Sequence, residues 1–230
     1  MSGTLWDEAC YTGMILGWGC LMRAGEYSKR DKYSSILKRK HITFSPNNTK
    51  PNEAFIELHK SKTNQFGKLE IINVPCICFS RTKKPFGNVK ITAKHCPCCV
   101  THHYVKRRDK FLIARDGHLD MNKPLLIKGN RKHEQLNYNN MSKWMSKCID
   151  KINRNARLPR KLDRKWYPTH SLRLGGTTDM FRSGRSTNQI MRTGRWRTDQ
   201  WRLSYLSSDF RDITLLSGLT QLDLTCDRNR

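Results

Sequence analysis

Apolar and polar residues follow a helical period over much of the chain. The clearest case is Leu136 to Ile152, where apolar residues recur three and four positions apart and predict an amphipathic helix. Two more helices are predicted, over Thr4 to Tyr27 and over about Val100 to Phe111. Gly13, Gly17 and Gly19 each weaken the first of these by about 1 kcal/mol relative to alanine, so tertiary packing is expected to hold it.

Short helices are predicted near the carboxyl end. A capping-box sequence begins at Ser186 and Gly194 stands where a helix would stop, so one helix is expected between them. The next is expected to carry Tyr205, and a last one to span about Phe210 to Leu219. Residues 207–230 are interpreted as a C-terminal helix and tail.

A second pattern, of short apolar or alternating runs, predicts three strands. They are Lys40 to Phe44, Ala54 to His59 and Lys68 to Val74. The turn-forming residues Ser61 to Gly67 make the last two a hairpin. Together with the helices, this predicts an α+β class: a mainly helical domain with a small antiparallel three-stranded sheet. Residues 75–99 lack a clear period and are interpreted as a Cys-rich insertion.

Composition indicates a polyanionic partner. The chain has 44 Lys and Arg against 19 Asp and Glu, a formal charge of +25 over 230 residues. Such a charge would repel itself on folding unless it faced nucleic acid. No apolar run is long enough to span a membrane and no secretory signal is present. Double-stranded DNA is the expected partner, with no membrane and no small-molecule substrate.

Residues 170 to 205 carry the most informative cluster of residue types. His170 and Arg173 are three apart on one predicted helical turn, Gly194-Arg195-Trp196 follows, and Tyr205 comes nine residues after Trp196. A phenol arriving just downstream of a positively charged pocket fits a group that attacks a phosphate and remains attached to it.

Each step of such a reaction has a candidate residue. Arg23 and Arg173 suit a phosphate clamp because a guanidinium pairs with two oxygens at once, and Glu26, three residues after Arg23, is expected to orient it. Lys62 at the hairpin tip is the candidate acid for the leaving oxygen, with Lys60 as a competing assignment. The remaining candidates are His170 for proton transfer, Trp196 for an indole hydrogen bond or packing alone, and Tyr205 as the nucleophile.

These residues, in this order, resemble the catalytic domain of the tyrosine recombinases, or phage integrases. The motifs are Arg23-Ala24-Gly25-Glu26, Ser61-Lys62-Thr63, His170-Ser171-Leu172-Arg173 with Leu174-Gly175-Gly176, Gly194-Arg195-Trp196, and Tyr205. The sequences of these motifs are most similar to those of eukaryotic mobile-element recombinases of the Crypton and DIRS-like groups. The resemblance covers about Leu5 to Leu219.

The resemblance implies cleavage and rejoining of DNA through a 3′-phosphotyrosyl link, for site-specific recombination or integration, without metal or ATP. It also implies a homotetramer on synapsed DNA and, from the eukaryotic groups, a nuclear location. Residues 1–230 are then one catalytic domain, and the amino-terminal core-binding domain of the family is expected to be absent. Trp196 stands where many relatives have histidine, which the family tolerates.

Two features lie outside the family pattern. Cys76, Cys78, Cys96 and Cys98 are candidate ligands of a structural zinc ion, which His95, His102 or His103 could complete, although buried thiols are the alternative. Basic residues, among them Lys60, Arg160, Lys161 and Arg195, are expected to contact DNA, while solvated faces and nuclear-import signals stay open as readings of the basic runs.

Three functions stay open on the sequence alone. The first is an active recombinase. The second is a domesticated or degenerate module that binds DNA without cutting it, since the amino-terminal clamp of the family is expected to be absent. A type IB topoisomerase shares the nucleophile and the arginine clamp, but the short chain and the His-Ser-Leu-Arg-Leu-Gly-Gly wording disfavour it.

Overall fold

A computed structural model describes residues 4–29, 37–46, 50–59, 69–78, 93–129, 134–155 and 160–198. In these ranges the chain is α+β, with a small open antiparallel sheet, as the sequence predicts. The helices are α1 (Leu5–Gly19), α2 (Ala24–Tyr27), α3 (Pro97–Asp116), α4 (Tyr138–Asn155), α5 (His170–Arg182) and α6 (Thr187–Gly194). The strands are β1 (Ile42–Ser45), β2 (Glu53–Leu58) and β3 (Glu70–Pro75).

Helix α1 is the centre of the domain. It is buried along nearly its whole length and contacts α2, α3, α4 and α5. A helix that is apolar on all sides is stable only when neighbours cover every face. Trp144 of α4 donates its indole N–H to Asp7 of α1 at 3.1 Å, and Trp18 of α1 donates to Asp179 of α5 at 2.7 Å. These two hydrogen bonds help to orient α4 and α5 against α1.

The sheet has the order β1-β2-β3, and its register places apolar residues on one face. Ile56 of β2 pairs with Ile42 of β1 and with Ile72 of β3, and all three are buried. Helix α3 contacts β2 and β3. The pairing of β2 with β3 confirms the predicted hairpin, whose turn residues lie outside the described ranges.

Two helices, α1 and α2, stand in place of the single helix predicted over Thr4 to Tyr27, because the helix is interrupted after Gly19. A Cβ on Gly19 would lie 2.3 Å from the ring of Pro97 in α3, and Leu21 adopts a left-handed φ of 50°. A leucine in this region cannot continue a right-handed helix. The break turns the chain so that Arg23 begins α2 as its N-cap residue.

Two other predicted helices are displaced at their ends. Helix α3 is longer than predicted, since Pro97 is favoured in the first turn and Gly117, with φ of 75°, ends the helix. Helix α4 covers Tyr138–Asn155 where Leu136 to Ile152 was predicted. The helix predicted after Ser186 is confirmed as α6, whereas the helices predicted at Tyr205 and over Phe210 to Leu219 lie outside the described residues.

Contact between α1 and α5 depends on Gly176. A Cβ at this position would lie 2.0 Å from the backbone oxygen of Trp18. The two backbones therefore approach each other at a distance that only glycine permits. This close crossing brings the start of α5, with His170 and Arg173, next to the break after α1.

We predict that Gly176→Ala destabilises the protein by about 1–3 kcal/mol, because the added methyl must push two helices apart. Gly25→Ala is the matched control, since nothing lies within 4 Å of its added Cβ. Alanine also favours a helix over glycine by up to about 1 kcal/mol, so the control is expected to be neutral or stabilising. Chemical denaturation measures both, and equal losses would contradict the close crossing.

Candidate functional site

The side chain of Arg173 joins three segments that are far apart in sequence. Its guanidinium donates to the backbone oxygen of Leu21, after α1, and to the backbone oxygen of Gly194, at the end of α6, the latter at 2.5 Å. The same group lies 4.4 Å from the ring centroid of Trp196. The residue is 1% exposed. Three of the five motif segments, those around Arg23, His170 and Gly194, therefore meet at one junction.

The Gly194-Arg195-Trp196 sequence has a local explanation. Helix α6 ends at Gly194, and the next residue, Arg195, adopts a left-handed φ of 56° and turns the chain back. The Trp196 amide then donates to Met191 at 3.0 Å, and its ring covers Gly194 so closely that a Cβ there would lie 1.8 Å from it. The glycine thus makes room for the indole that stacks on Arg173.

Glu26 organises the other arginines of the junction. The carboxylate accepts from the backbone amide of Arg23 at 2.8 Å and from its guanidinium at 3.3 Å. It also accepts from the guanidinium of Arg195 at 2.6 Å, across 169 positions of sequence. Glu26 is buried, so these charge-assisted bonds are little weakened by water. The predicted role of Glu26, to orient Arg23, agrees with this geometry.

His170 begins α5 and is accessible to solvent. Desolvation by the surrounding protein lowers the pKa of its imidazole below the ordinary value, and the positive charges of Arg173 and then Arg23 lower it further. Arg173 and Arg23 therefore lie close enough to His170 for their charges to act on its imidazole. A neutral imidazole at this position can accept a proton.

The accessibility of the two arginines differs from what the sequence predicts. Arg23 keeps 23% of its side chain exposed, whereas Arg173 is enclosed by the two carbonyls and the indole. The sequence prediction of two equivalent phosphate clamps does not anticipate this. Arg23 and His170 form the solvent-facing part of the junction, and Arg173 contributes its charge from behind them.

Arg195 requires a correction. The sequence predicts it on the DNA-facing surface, but its side chain is only 9% exposed and forms a salt bridge with Glu26. A carboxylate oxygen of Glu70, in β3, lies 3.7 Å from its Nε. Its position at the left-handed end of α6 directs it inward. Arg160 and Lys161, by contrast, are exposed, and their contact with DNA stays a prediction.

Three predicted site residues lie outside the described ranges. They are Lys60 and Lys62, in the β2–β3 connection, and Tyr205, beyond α6. Trp196, the last residue of the junction along the chain, precedes Tyr205 by nine positions. Nine residues span at most about 30 Å when extended, so the length of the connection from Trp196 is compatible with Tyr205 reaching the junction.

Sequence reasoning missed two surface features. Trp166 is 64% exposed, with the ammonium of Lys165 5.5 Å from its ring centroid, and lies in the basic segment before α5. An open cleft of about 540 Å³ lies between β3 and α6, and Arg192 and Arg197 are among its lining residues. An apolar ring within a run of cations was the available signal for the first, and nothing in the sequence marked the second.

A cluster of four cysteines lies where the end of β3 meets the start of α3. The sulfurs of Cys76, Cys78, Cys96 and Cys99 all lie within 4.8 Å of one another, an arrangement that could hold a metal ion. Cys76 and Cys78 follow directly after β3, which ends at Pro75.

Cys98 was predicted as the fourth ligand, and the geometry replaces it with Cys99. The thiol of Cys98 is buried and points to the backbone oxygen of Pro51 at 3.9 Å. Helix α3 begins at Pro97, so consecutive residues point about 100° apart around the helix axis. The predicted histidines are not in the cluster either, and His102 packs on Phe44 with ring centroids 4.9 Å apart.

The shared environment of His170 gives a direct test. In Arg23→Ala, loss of a nearby positive charge is expected to raise the pKa of His170 toward its ordinary value. NMR titration of the imidazole carbons measures it. Arg185→Ala removes an exposed arginine that does not contribute to this shift and is the control. An unchanged pKa in Arg23→Ala would place Arg23 away from His170.

Comparison with known proteins identifies no relative: no protein-family model matches the sequence, and no curated protein matches it. Within the described ranges, no helix has the length and apolar character required to cross a membrane.

Proposed function

We propose that this chain is the catalytic domain of a tyrosine recombinase, which cleaves and rejoins DNA strands through a 3′-phosphotyrosyl intermediate. One observation carries the proposal. Three segments with separately recognised motifs, around Arg23, His170 and Gly194, meet at the Arg173 guanidinium. Chance matches to short motifs have no reason to converge in the folded chain.

The junction has the charge that a phosphodiester requires. In the described part of the chain, the guanidinium groups of Arg23, Arg173 and Arg195 and the carboxylates of Glu26 and Glu70 meet at the junction, so positive charges outnumber negative ones. Burial of Arg173 places part of that charge in a medium of low dielectric, where its attraction for an anion is stronger than in water. Arg23 and His170 are the groups that a phosphate would contact first.

The proposed reaction proceeds in one displacement at phosphorus. The phenol oxygen of Tyr205 forms a bond to phosphorus while the bond from phosphorus to the 5′-oxygen breaks. His170 accepts the phenol proton, and the lowered pKa of His170 keeps the imidazole neutral and ready for this role. The departing 5′-oxygen takes a proton from Lys62, with Lys60 as the alternative. Rejoining is the reverse displacement by a 5′-hydroxyl.

The surface around the junction suits duplex DNA. Arg160 and Lys161 are exposed, and the exposed Trp166 with Lys165 lies just before His170. The chain charge of +25 favours binding by release of counterions from the DNA backbone. By the resemblance to mobile-element recombinases we further propose a homotetramer on two synapsed duplexes, action in the nucleus, and site-specific recombination or integration as the outcome.

The four-cysteine cluster has no step in this reaction. We propose Zn²⁺ as the ion that it holds, in a structural role. Thiolates are preferred ligands of zinc, and structural zinc sites usually have four protein ligands.

A second function has its own supporting observation. Arg173 is 1% exposed and its guanidinium is bonded to backbone oxygens, so a direct contact with phosphate requires it to leave them. A domesticated module that binds DNA without cutting it needs no such change. The two functions differ in whether a covalent adduct forms.

The decisive test uses nicked suicide duplexes made from the ends of the element in which the chain is encoded. We expect a covalent protein–DNA band on a denaturing gel, absent in Tyr205→Phe and retained in Tyr167→Phe, which removes a different phenol hydroxyl near His170. Salt-dependent binding with no adduct would reject the recombinase proposal and select the non-cleaving module.

Arg23→Ala is expected to lower the rate of adduct formation about 10²- to 10³-fold, by analogy with loss of one oxyanion donor. Arg23→Lys keeps the charge but loses the two-pronged geometry, so it is expected to lose less. Single-turnover cleavage measures both, with Arg185→Ala as the control for a lost surface charge. An undiminished rate in Arg23→Ala would contradict its role at the phosphate.

A further inference from the structure

The cysteine cluster has the dimensions of a tetrahedral thiolate site. The sulfur of Cys99 lies 3.4 Å from that of Cys76 and 3.6 Å from that of Cys78, and Cys96 lies 3.8 Å from Cys76. Four sulfurs bound to zinc at about 2.3 Å are separated from one another by about 3.8 Å. The four side chains therefore surround a point that a zinc ion would fill with little movement.

Disulfide bonds explain the cluster less well. A disulfide requires two sulfurs at about 2.05 Å, and the separations here are all 3.4 Å or more. Cys99 is also close to two different sulfurs, which pairwise bonding cannot satisfy. A single ion accommodates all four ligands at once.

The sequence divides the ligands into two pairs on different elements. Cys76 and Cys78 directly follow β3, whereas Cys96 and Cys99 flank the first residues of α3 in the spacing C-x-x-C. The ion would join the end of the sheet to the start of the helix and close the 17 residues between Cys78 and Cys96 into a loop. Closing a loop of this length stabilises a fold by removing entropy from the unfolded chain.

The start of α3 in turn supports the junction of Arg173. Pro97, between the zinc ligands Cys96 and Cys99, packs against Gly19 so tightly that a Cβ on the glycine would lie 2.3 Å from its ring. Gly19 ends α1, and residues 20–23 follow it. Among them are Leu21, whose backbone oxygen accepts a hydrogen bond from Arg173, and Arg23. A continuous packed path thus runs from the cysteine cluster to the arginines.

We infer that Cys76, Cys78, Cys96 and Cys99 bind one zinc ion, and that this ion fixes the first turn of α3 as the support on which the Leu21–Arg23 segment is held. The zinc site stands independently of the proposed function. Only the meaning of the supported segment, as part of a phosphate site, rests on that proposal.

Metal content tests the site without reference to DNA. The full chain, expressed with zinc in the medium and purified without chelator, is expected to hold about one zinc ion per chain by plasma mass spectrometry. Cys99→Ser is expected to lose it. Cys98→Ser, which alters the neighbouring buried thiol, is expected to keep it. Wild-type protein without zinc, or equal zinc in the two variants, would overturn the assignment.

Cobalt substitution provides a second readout that does not depend on how well a variant folds. Co²⁺ added to metal-free wild-type protein under reducing conditions is expected to give the visible absorption of a tetrahedral thiolate complex, and Zn²⁺ is expected to displace it. Absence of this absorption, or a spectrum of octahedral cobalt, would contradict a four-thiolate site.

Hydrogen exchange tests the link to the arginine junction. Removal of zinc from wild-type protein, and Cys99→Ser, are expected to increase amide exchange in residues 20–28, while Cys98→Ser with zinc bound leaves it near the wild-type rate. If residues 20–28 exchange equally with and without zinc, the proposed support is wrong. Neither result depends on DNA cleavage, so failure here and failure of the recombinase proposal are distinguishable.

Discussion

The hydrogen bonds from Arg173 to the oxygens of Leu21 and Gly194 hold the candidate site together. A buried guanidinium is costly unless its donors are satisfied, and a buried carbonyl without a donor is costly too. The interaction gives both terminal nitrogens of the guanidinium and both carbonyls a partner, and the indole of Trp196 adds an aromatic face. Without it, the connection after α1, the start of α5 and the end of α6 would have no common partner.

Close backbone contacts make that interaction geometrically feasible. Gly176 lets α5 approach α1, Gly19 lets α3 approach the end of α1, and Gly194 admits the Trp196 ring. Glu26 then fixes the guanidinium groups of Arg23 and Arg195 on a single carboxylate. The site is thus built by tight packing around α1 and by the two charge-assisted hydrogen bonds that Glu26 accepts. Arg23 and His170 face solvent.

Local sequence signals account for the elements that they specify. The amphipathic spacing of Trp144, Met145 and Ile149 predicts α4, and the capping box at Ser186 predicts α6. Order and spacing of the motifs predict a shared site, and the segments of Arg23, Arg173 and Trp196 do lie together around the Arg173 guanidinium. The segments of Lys62 and Tyr205 lie outside the described residues. The helices depend on residues that are near one another in sequence.

Features set by distant contacts were not predictable. The break after Gly19 comes from its contact with Pro97, some 80 residues away, and the inward turn of Arg195 comes from Glu26 and its own left-handed backbone. The replacement of Cys98 by Cys99 depends on where α3 begins, since that decides which thiol faces Cys76 and Cys78. Burial of Arg173 behind His170 follows from the same tertiary arrangement.

The central claim is that the junction of Arg23, His170 and Arg173 binds a backbone phosphate of DNA. It is tested most directly by measuring the pKa of His170 by NMR with and without a short duplex in the Tyr205→Phe protein. A phosphate at the junction brings negative charge next to the imidazole, so the account predicts that bound duplex raises the pKa of His170 and shifts the Arg23 guanidinium resonance. Duplex binding that leaves both unchanged would contradict it.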